Sequence, residues 1–183
     1  MKIAHTIVYV MMAAVSLVAC KSSPEPGTAC ESENSAVCKD DKTIMNCKGG
    51  KWEQLSCKGP KGCGEVGTLV QCDMSLGVEG EPCGSEENHT CSEDKKHQLK
   101  CVDAKWKTVA LCRGPEGCEA SGVFAKCDTS VAEIGDLCSK EDDAACAADG
   151  KAILQCKSNK FAEAQKCPDS TRCNSSSIMV RCE

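Results

Sequence analysis

The chain has 183 residues, of which 19 are cysteine and only 3% are aromatic, and its formal net charge is -5. So many cysteines are typical of a disulfide scaffold and argue against a reducing compartment. The few large apolar side chains exclude one conventional core, and the acidic balance gives no support to nucleic-acid binding. Because the number of cysteines is odd, one of them lacks a partner inside the chain.

The first predicted element is a signal peptide at residues 1–19. Lys2 supplies a positive charge, and an apolar run of twelve residues extends from Ile7 to Val18. This run is shorter than the roughly 20 residues of a membrane-spanning helix but has the length of a signal-peptide core.

The signal ends in Leu17-Val18-Ala19-Cys20, which resembles the bacterial lipobox. The resemblance implies cleavage after Ala19, diacylation of the Cys20 thiol and acylation of the new N-terminus. The alternative is an ordinary secretory signal with a chance cysteine at its end. We favour the lipobox because a lipid on Cys20 accounts for the odd cysteine and leaves 18 to pair.

Residues 20–26 then form a short, polar, proline-containing tether. The residue after Cys20 is Lys21 and not Asp. In the sorting of Gram-negative lipoproteins, this departure implies the outer membrane and not the inner one. We therefore expect a lipid-anchored protein of the outer membrane, whose contact with the membrane is the acylated Cys20.

The other 18 cysteines form three sets of six. Steps within the sets are 8-9-10-6-9 once and 8-10-11-6-9 twice, and a step of 11 separates consecutive sets. This period predicts three tandem modules at residues 27–79, 80–134 and 135–183. The sets are Cys30, Cys38, Cys47, Cys57, Cys63 and Cys72; Cys83, Cys91, Cys101, Cys112, Cys118 and Cys127; and Cys138, Cys146, Cys156, Cys167, Cys173 and Cys182.

Each module is predicted to contain a short β-hairpin and a third strand. Residues alternate between polar and apolar from Thr43 to Leu55 around a Gly49-Gly50 turn, and Asp103-Ala104 and Ser158-Asn159 take the place of this turn in the other modules. A β-prone run two residues before the last cysteine supplies the third strand, at 68–70, 123–125 and 178–180. The expected fold class is small, disulfide-rich and mainly β.

Two further local predictions concern turns. A Gly-Pro-x-Gly segment between the fourth and fifth cysteines predicts a tight turn at 59–62 and 114–117, and the third module lacks these glycines. The only stretch that admits a helical turn is 141–148. An aspartate recurs seven residues before each third cysteine, and we favour a solvated turn there over a cation site; these residues are Asp40, Asp94 and Asp149.

The cysteine spacing favours disulfides over metal. Zinc sites use cysteine pairs separated by about two to four residues, whereas the closest pair here is six apart. We therefore expect every cysteine after Cys20 to be in a disulfide, with no metal and no cofactor. Six cysteines per module allow many connectivities. Our preferred one is first–third, second–sixth and fourth–fifth.

An aromatic residue follows a lysine five residues after each third cysteine, at Trp52, Trp106 and Phe161. Together with the order of the cysteines and the final Val-x-Cys, this pattern resembles the small six-cysteine chitin-binding modules of secreted fungal hydrolases. The resemblance implies that these rings stack on the sugars of a polysaccharide. The alternative, which we favour, is that each ring fills the space between disulfides.

The sequence thus predicts a non-enzymatic lipoprotein that serves as a binding, adhesion or structural protein of the cell envelope. Its expected partners are the membrane and either an envelope polysaccharide or another envelope protein. A tandem protease inhibitor, with the Gly-Pro turn as its exposed loop, is a lesser alternative. The sequence contains no motif for an activated nucleophile, a catalytic carboxylate pair or a phosphate-binding loop, so catalysis is not expected.

Overall fold

The computed structural model describes residues 23–176 and 179–183. The signal peptide, the lipobox and Cys20 lie outside these residues. The described part contains 17 short strands and no helix that is long and apolar enough to cross a bilayer. The predicted fold class, small, disulfide-rich and mainly β, is confirmed.

Each module combines a three-stranded antiparallel sheet with a two-stranded hairpin. The first strand of the sheet carries the second cysteine, the middle strand carries the third, and the last strand carries the recurring aromatic. The hairpin begins at the fifth cysteine and ends at the sixth. In module 1 the strands are β1 (Ala36–Asp40), β2 (Thr43–Lys48), β3 (Lys51–Ser56), β4 (Cys63–Val66) and β5 (Leu69–Cys72).

Modules 2 and 3 repeat this plan and add one strand from the preceding linker. The linker strands β6 (Leu76–Gly77) and β12 (Val131–Ala132) pair in parallel with the first strand of the next module, which makes each sheet four-stranded. The other strands are β7 (His89–Ser92), β8 (His97–Val102), β9 (Lys105–Leu111), β10 (Cys118–Ser121), β11 (Phe124–Cys127), β13 (Ala144–Ala147), β14 (Ala152–Lys157), β15 (Lys160–Lys166), β16 (Cys173–Ser175) and β17 (Val180–Cys182).

Most sequence-based predictions of local structure are confirmed. Strands β5, β11 and β17 are the predicted third strands, and each pairs with a preceding strand that the sequence did not indicate. The helical turn considered at 141–148 is wrong, because β13 occupies four of these eight residues. Its small alanines pack into the sheet instead of forming an amphipathic helical face.

The central hairpin of each module closes through a two-residue turn in which both residues have positive φ. Such a type I′ turn matches the twist of the strands it joins. Glycine is the usual residue at these positions, but the turn persists where Asp, Ala, Ser and Asn replace it. The three pairs are Gly49-Gly50 (φ 59 and 74), Asp103-Ala104 (54 and 57) and Ser158-Asn159 (51 and 63).

The disulfides join the first cysteine to the third, the second to the fifth and the fourth to the sixth in every module. The expected first–third bridge is confirmed, whereas second–sixth and fourth–fifth are wrong. The nine bonds are Cys30–Cys47, Cys38–Cys63, Cys57–Cys72, Cys83–Cys101, Cys91–Cys118, Cys112–Cys127, Cys138–Cys156, Cys146–Cys173 and Cys167–Cys182.

The register of the hairpin explains this pairing. The fifth and sixth cysteines are cross-strand partners, for example Cys63 opposite Cys72, so both side chains leave the hairpin on one face. The fifth cysteine reaches the first strand of the sheet and the sixth reaches the residue after the last strand. A fourth–fifth bridge would close only the short Gly-Pro turn and leave the sixth cysteine to cross to the first strand.

The glycine that opens each module holds the aromatic strand in place. In module 2, the N–H of Gly80 donates to the Trp106 carbonyl at 2.8 Å, and the Trp106 N–H donates to the Glu81 carbonyl at 3.0 Å. Gly80 has a φ of 84°, a backbone conformation that favours glycine. The same pair of bonds joins Gly27 and Thr28 to Trp52, and Gly135 and Asp136 to Phe161.

The linker strands determine how deeply the aromatic rings are buried. Gly77 of β6 lies so close to the Trp106 ring that a Cβ would be 3.0 Å from Nε1, and Ala132 of β12 packs in one core cluster with Phe161. Trp106 is accordingly 4% exposed and Phe161 1% exposed. Trp52 is only half-buried, since the sheet of module 1 carries no linker strand.

This difference predicts unequal losses of stability. We expect Trp106→Ala to lower the free energy of unfolding by about 3–5 kcal/mol, because it leaves a cavity in a closed core. Trp52→Ala should cost clearly less, because part of its ring is already in water. Guanidinium denaturation without reductant measures both values. Equal losses would contradict the role assigned to the linker strand.

Candidate functional site: the groove between modules 1 and 2

An open groove of about 780 Å³ lies where module 2 meets module 1. Its floor is apolar and consists of Leu76 from the linker, Ala120 and Ala125 from the hairpin β10–β11, and the Cys91–Cys118 disulfide. Pro60 from the Gly-Pro turn of module 1 lines the other side. We call this the junction groove. Its size is in the range of small-molecule sites.

Phe124 stands in the wall of the junction groove with 74% of its surface exposed. It begins β11, on a hairpin held at its base by the disulfides of Cys118 and Cys127. An exposed aromatic ring on a fixed support offers a flat apolar face to a ligand. The sequence predicted Phe124 to lie in a strand, but its role at the surface was missed, although its place at the start of a strand that alternates inward and outward was a usable signal.

Apolar side chains are exposed on the equivalent hairpin of every module. Among the large hydrophobic residues of the described part, most of the exposed ones lie at these tips. A single exposed apolar residue is ordinary, whereas the same exposure at one repeated position is characteristic of an interaction surface. The tip residues are Val66 and Leu69, Val123 and Phe124, and Met179.

Smaller packing partners distinguish the module 2 hairpin from that of module 1. In module 1, Val70 of the hairpin packs against the core cluster that contains Ile44. Module 2 has Gln98 and Ala125 at these positions, and the Gln98 Nε2 donates to the Ala125 carbonyl at 2.7 Å. The buried Gln98 Oε1 has no hydrogen-bond partner among the described residues. A polar contact thus replaces an apolar one under the groove.

The rim of the junction groove carries lysines paired with carboxylates. Lys58 Nζ lies 3.3 Å from both Glu81 and Glu93, and Lys126 Nζ lies 3.1 Å from Glu116. Burial lowers the pKa of Lys58, but the hydrogen bonds to Glu93 and Glu81 outweigh it and hold the pKa above its usual value. Such a rim offers donors and acceptors with little net charge, which suits a neutral ligand rich in hydroxyl groups.

The same lysine also fixes the two modules relative to each other. Lys58 directly follows the fourth cysteine and reaches Glu81, two residues before the first cysteine of module 2. Arg113 repeats this contact at the next junction, where it bonds Asp136 at 2.5 Å and Glu133 at 3.2 Å. The groove therefore lies between modules held by the linker strand and by an ion pair.

The carboxylates of Asp73 and Asp128 accept hydrogen bonds from backbone N–H groups of the two Gly-Pro turns. Asp128 accepts hydrogen bonds from the N–H groups of Glu116 and Ser130, each at 3.0 Å. A Cβ at Gly114 would overlap this carboxyl group, so the close approach requires glycine. The predicted tight turn is confirmed, because the Gly117 N–H donates to the Gly114 carbonyl at 3.0 Å.

The electrostatics of these aspartates follow from the same contacts. Burial raises the pKa of Asp128, but hydrogen bonds from the Glu116 N–H and from Ser130 outweigh it, so the pKa lies below its usual value. The pKa of Asp73 is lowered for the same reasons. The sequence contained a signal for this role, since an aspartate follows the sixth cysteine only in the two modules with Gly-Pro-x-Gly, and Glu183 replaces it in module 3.

The recurring aspartates before the third cysteine are turn residues, as expected. Each carboxylate accepts a hydrogen bond from the backbone N–H two residues later, in the pattern of an Asx-turn. The bonds run from Lys42 to Asp40 at 2.9 Å, from Lys96 to Asp94 at 3.0 Å and from Lys151 to Asp149 at 2.9 Å.

One turn of module 2 brings together the residue types of a hydrolase triad. The Ser92 hydroxyl donates to the Asp94 carboxylate at 2.5 Å and accepts from the backbone N–H of His97 at 2.9 Å. His97 Nδ1 lies 3.4 Å from both Ser92 Oγ and Asp94 Oδ1. The Asp94 carboxylate also accepts from the Lys96 N–H at 3.0 Å, so these contacts together close the turn between β7 and β8.

The burial of the recurring aromatics decides between their two interpretations at two positions. Trp106 and Phe161 lie in module cores, where neither ring can stack on a sugar. Trp52 is half-buried and retains an accessible part. The filler interpretation therefore holds for Trp106 and Phe161, and Phe124 is the exposed aromatic among the residues that the structure describes.

No family model, curated protein or solved structure matched this chain when it was compared with them. Functional inference therefore starts from the chain's own residues.

The clamp on the Gly-Pro turn gives a testable prediction. We expect Asp128→Ala to lower the free energy of unfolding by about 1–3 kcal/mol at neutral pH, because two backbone N–H groups lose a charged acceptor. Since the folded-state pKa is depressed, this contribution is present above the unfolded pKa and disappears as the pH falls through the folded one. The gap between wild type and variant should therefore narrow as the pH falls below the ordinary range of an aspartate pKa.

Denaturation curves from pH 2 to 7 measure this gap, and Asp169→Ala, at an exposed residue in the corresponding turn of module 3, is the control. If the difference in free energy of unfolding stays constant across this range, the ionised carboxylate of Asp128 does not stabilise the turn.

Proposed function

We propose that this protein is a non-enzymatic, lipid-anchored binding protein of the bacterial cell envelope. The observation that carries the proposal is the exposed Phe124 ring on a disulfide-held hairpin above the open junction groove. An exposed apolar surface beside a groove is typical of a recognition site.

The location of the protein is supported by its chemistry. Disulfides at this density form and persist in oxidising compartments, which favours a position outside the cytoplasm. The lipobox-like Leu17-Val18-Ala19-Cys20 supports an acyl anchor at Cys20, and Lys21 supports the outer membrane of a Gram-negative cell. Two or more acyl chains hold a protein on a bilayer far more firmly than one.

A polysaccharide is the ligand class that the junction groove fits best. Sugar rings present a C–H face that packs on an aromatic ring, and their hydroxyls both donate and accept hydrogen bonds. Phe124 offers the ring, while Lys58 and Lys126 with their paired carboxylates offer both kinds of polar partner. An envelope protein is the competing partner, and the ligand experiment below distinguishes the two.

The anchor is tested by the mass of the N-terminal peptide. We expect the wild-type protein to begin at Cys20, to carry acyl chains and to incorporate labelled palmitate. Cys20→Ala should lose the label and retain residues 1–19. A wild-type chain with a free thiol at Cys20 would show that the anchor is wrong.

The ligand is tested with the full-length protein in detergent and insoluble peptidoglycan, chitin and cellulose. We expect retention on one of these polymers and a loss of about fivefold in affinity for Phe124→Ala, the size of one aromatic contact. Met179→Ala, at the equivalent exposed position of module 3, is the matched control and should bind like wild type.

Unchanged binding by Phe124→Ala would exclude this ring as the platform. Lack of retention on all three polymers, combined with crosslinking of Phe124 to an envelope protein, would favour the protein partner.

A further inference from the structure

The residues that line the junction groove show at which end of module 2 the hairpin tip lies. Phe124 at the tip and Leu76 in the incoming linker line the same groove, and Pro60 of the preceding module lines it as well. The tip and the entering chain are thus neighbours at the upstream end of module 2. Because the three modules share one plan, the tip of module 1 is expected at the corresponding end.

The spacing of the cysteines recurs between modules, so each residue of module 2 has an equivalent in module 1. Leu76 lies seven residues before Cys83, and Ser23 lies seven residues before Cys30. Phe124 lies three residues before Cys127, and Leu69 lies three before Cys72. Ser23 of the tether and Leu69 of the tip therefore correspond to the two neighbours in module 2.

Contacts in module 1 support this equivalence. Strands β4 and β5 pack on β1, as β10 and β11 pack on β7, and the Cys38–Cys63 bond matches Cys91–Cys118. From Glu25 onward the tether also follows the path of the linkers, although Ser23 forms no strand with β1. Its Glu25 carbonyl accepts from the Thr28 N–H at 3.2 Å, in the same turn as Val78 and Glu81, and the Glu25 carboxylate pairs with Lys39 of β1 at 3.5 Å.

The proposed anchor is close to this tip in chain length. Cys20 lies three residues before Ser23, so the two Cα atoms are at most about 11 Å apart. Acyl chains on Cys20 would therefore hold the upstream end of module 1 within about 11 Å of the bilayer surface. In module 2 the same end faces module 1 across the junction groove.

The module 1 tip has the composition of a membrane contact. Val66 is 61% exposed and Leu69 66%, and the four residues Val66-Gly67-Thr68-Leu69 carry no charge. Transfer of such apolar side chains from water into the interface between headgroups and acyl chains is favourable. A second contact also limits the rotation that a single flexible tether allows.

We propose that Val66 and Leu69 insert into the membrane interface beside the acylated Cys20 and orient module 1 on the bilayer. This inference rests on the lipid anchor of the proposed function. Membrane insertion at the tip and acyl attachment together fix the upstream end of the repeat array at the lipid surface, with modules 2 and 3 extending from it.

The test uses the full-length acylated protein in vesicles of phosphatidylethanolamine and phosphatidylglycerol with brominated acyl chains, which quench nearby tryptophan. Leu69→Trp places a probe in the module 1 tip, and Phe124→Trp places the matched control in the module 2 tip. The native Trp52 and Trp106 contribute equally to both samples. We expect quenching of the added tryptophan to be about twofold stronger for Leu69→Trp.

Val66→Trp gives a second reading of the same tip, and the disulfide mass of each variant confirms that it has folded. Acylated protein with equal quenching at the module 1 and module 2 tips would overturn the membrane contact and leave the anchor intact. A chain without acyl groups on Cys20 would overturn both the anchor and the inference. Stronger quenching at both Val66→Trp and Leu69→Trp than at Phe124→Trp supports it.

Discussion

Two crosslinks on one hairpin organise each module. The fifth and sixth cysteines face each other across the hairpin, and their sulfurs bond to two different places on the sheet. The hairpin therefore cannot rotate about a single attachment. Bridges that close loops of this length contribute on the order of 2–4 kcal/mol each, which replaces much of the core that a module of this size lacks. Exposed tips such as those at Leu69 and Phe124 remain in place because the hairpin below them is fixed.

The linker strand is the second constraint, and it makes the modules interdependent. Each linker adds a strand to the next sheet and covers the next aromatic ring, so the core of module 2 is completed by residues near the end of module 1. Lys58 and Arg113 add an ion pair at each junction. Module 1 receives a proline-containing tether in place of a linker strand, and this accounts for the half-buried Trp52.

The local structure of this chain could be predicted well, because its signals are local. The Gly49-Gly50 turn, the Gly-Pro turn and the Asx-turn at Asp40 each depend on residues within a few positions of one another. The disulfide partners could not be chosen from spacing, since the choice depends on the register between β4 and β5 and on the face from which Cys63 and Cys72 emerge.

The candidate site was harder to find for a related reason. Recurrence drew attention to the aromatic after each third cysteine, yet the rings at Trp106 and Phe161 recur because they fill the cores. Phe124 does not recur as an aromatic, and its exposure depends on its place at the tip of the hairpin. A repeated residue type indicated structure, whereas a repeated exposed position with a variable side chain indicated the surface.

Disulfide mapping by mass spectrometry of the non-reduced protein tests the double attachment of the hairpin directly. Trypsin cleaves after Lys58 and Lys61, between Cys57 and Cys63, and a glutamate-specific protease cleaves after Glu65, between Cys63 and Cys72. Peptides that join Cys38 to Cys63 and Cys57 to Cys72 are the expected products, with equivalent pairs in the other modules. Peptides that join Cys57 to Cys63 would show a hairpin attached differently and would contradict the fixed tips on which the proposed binding surfaces depend.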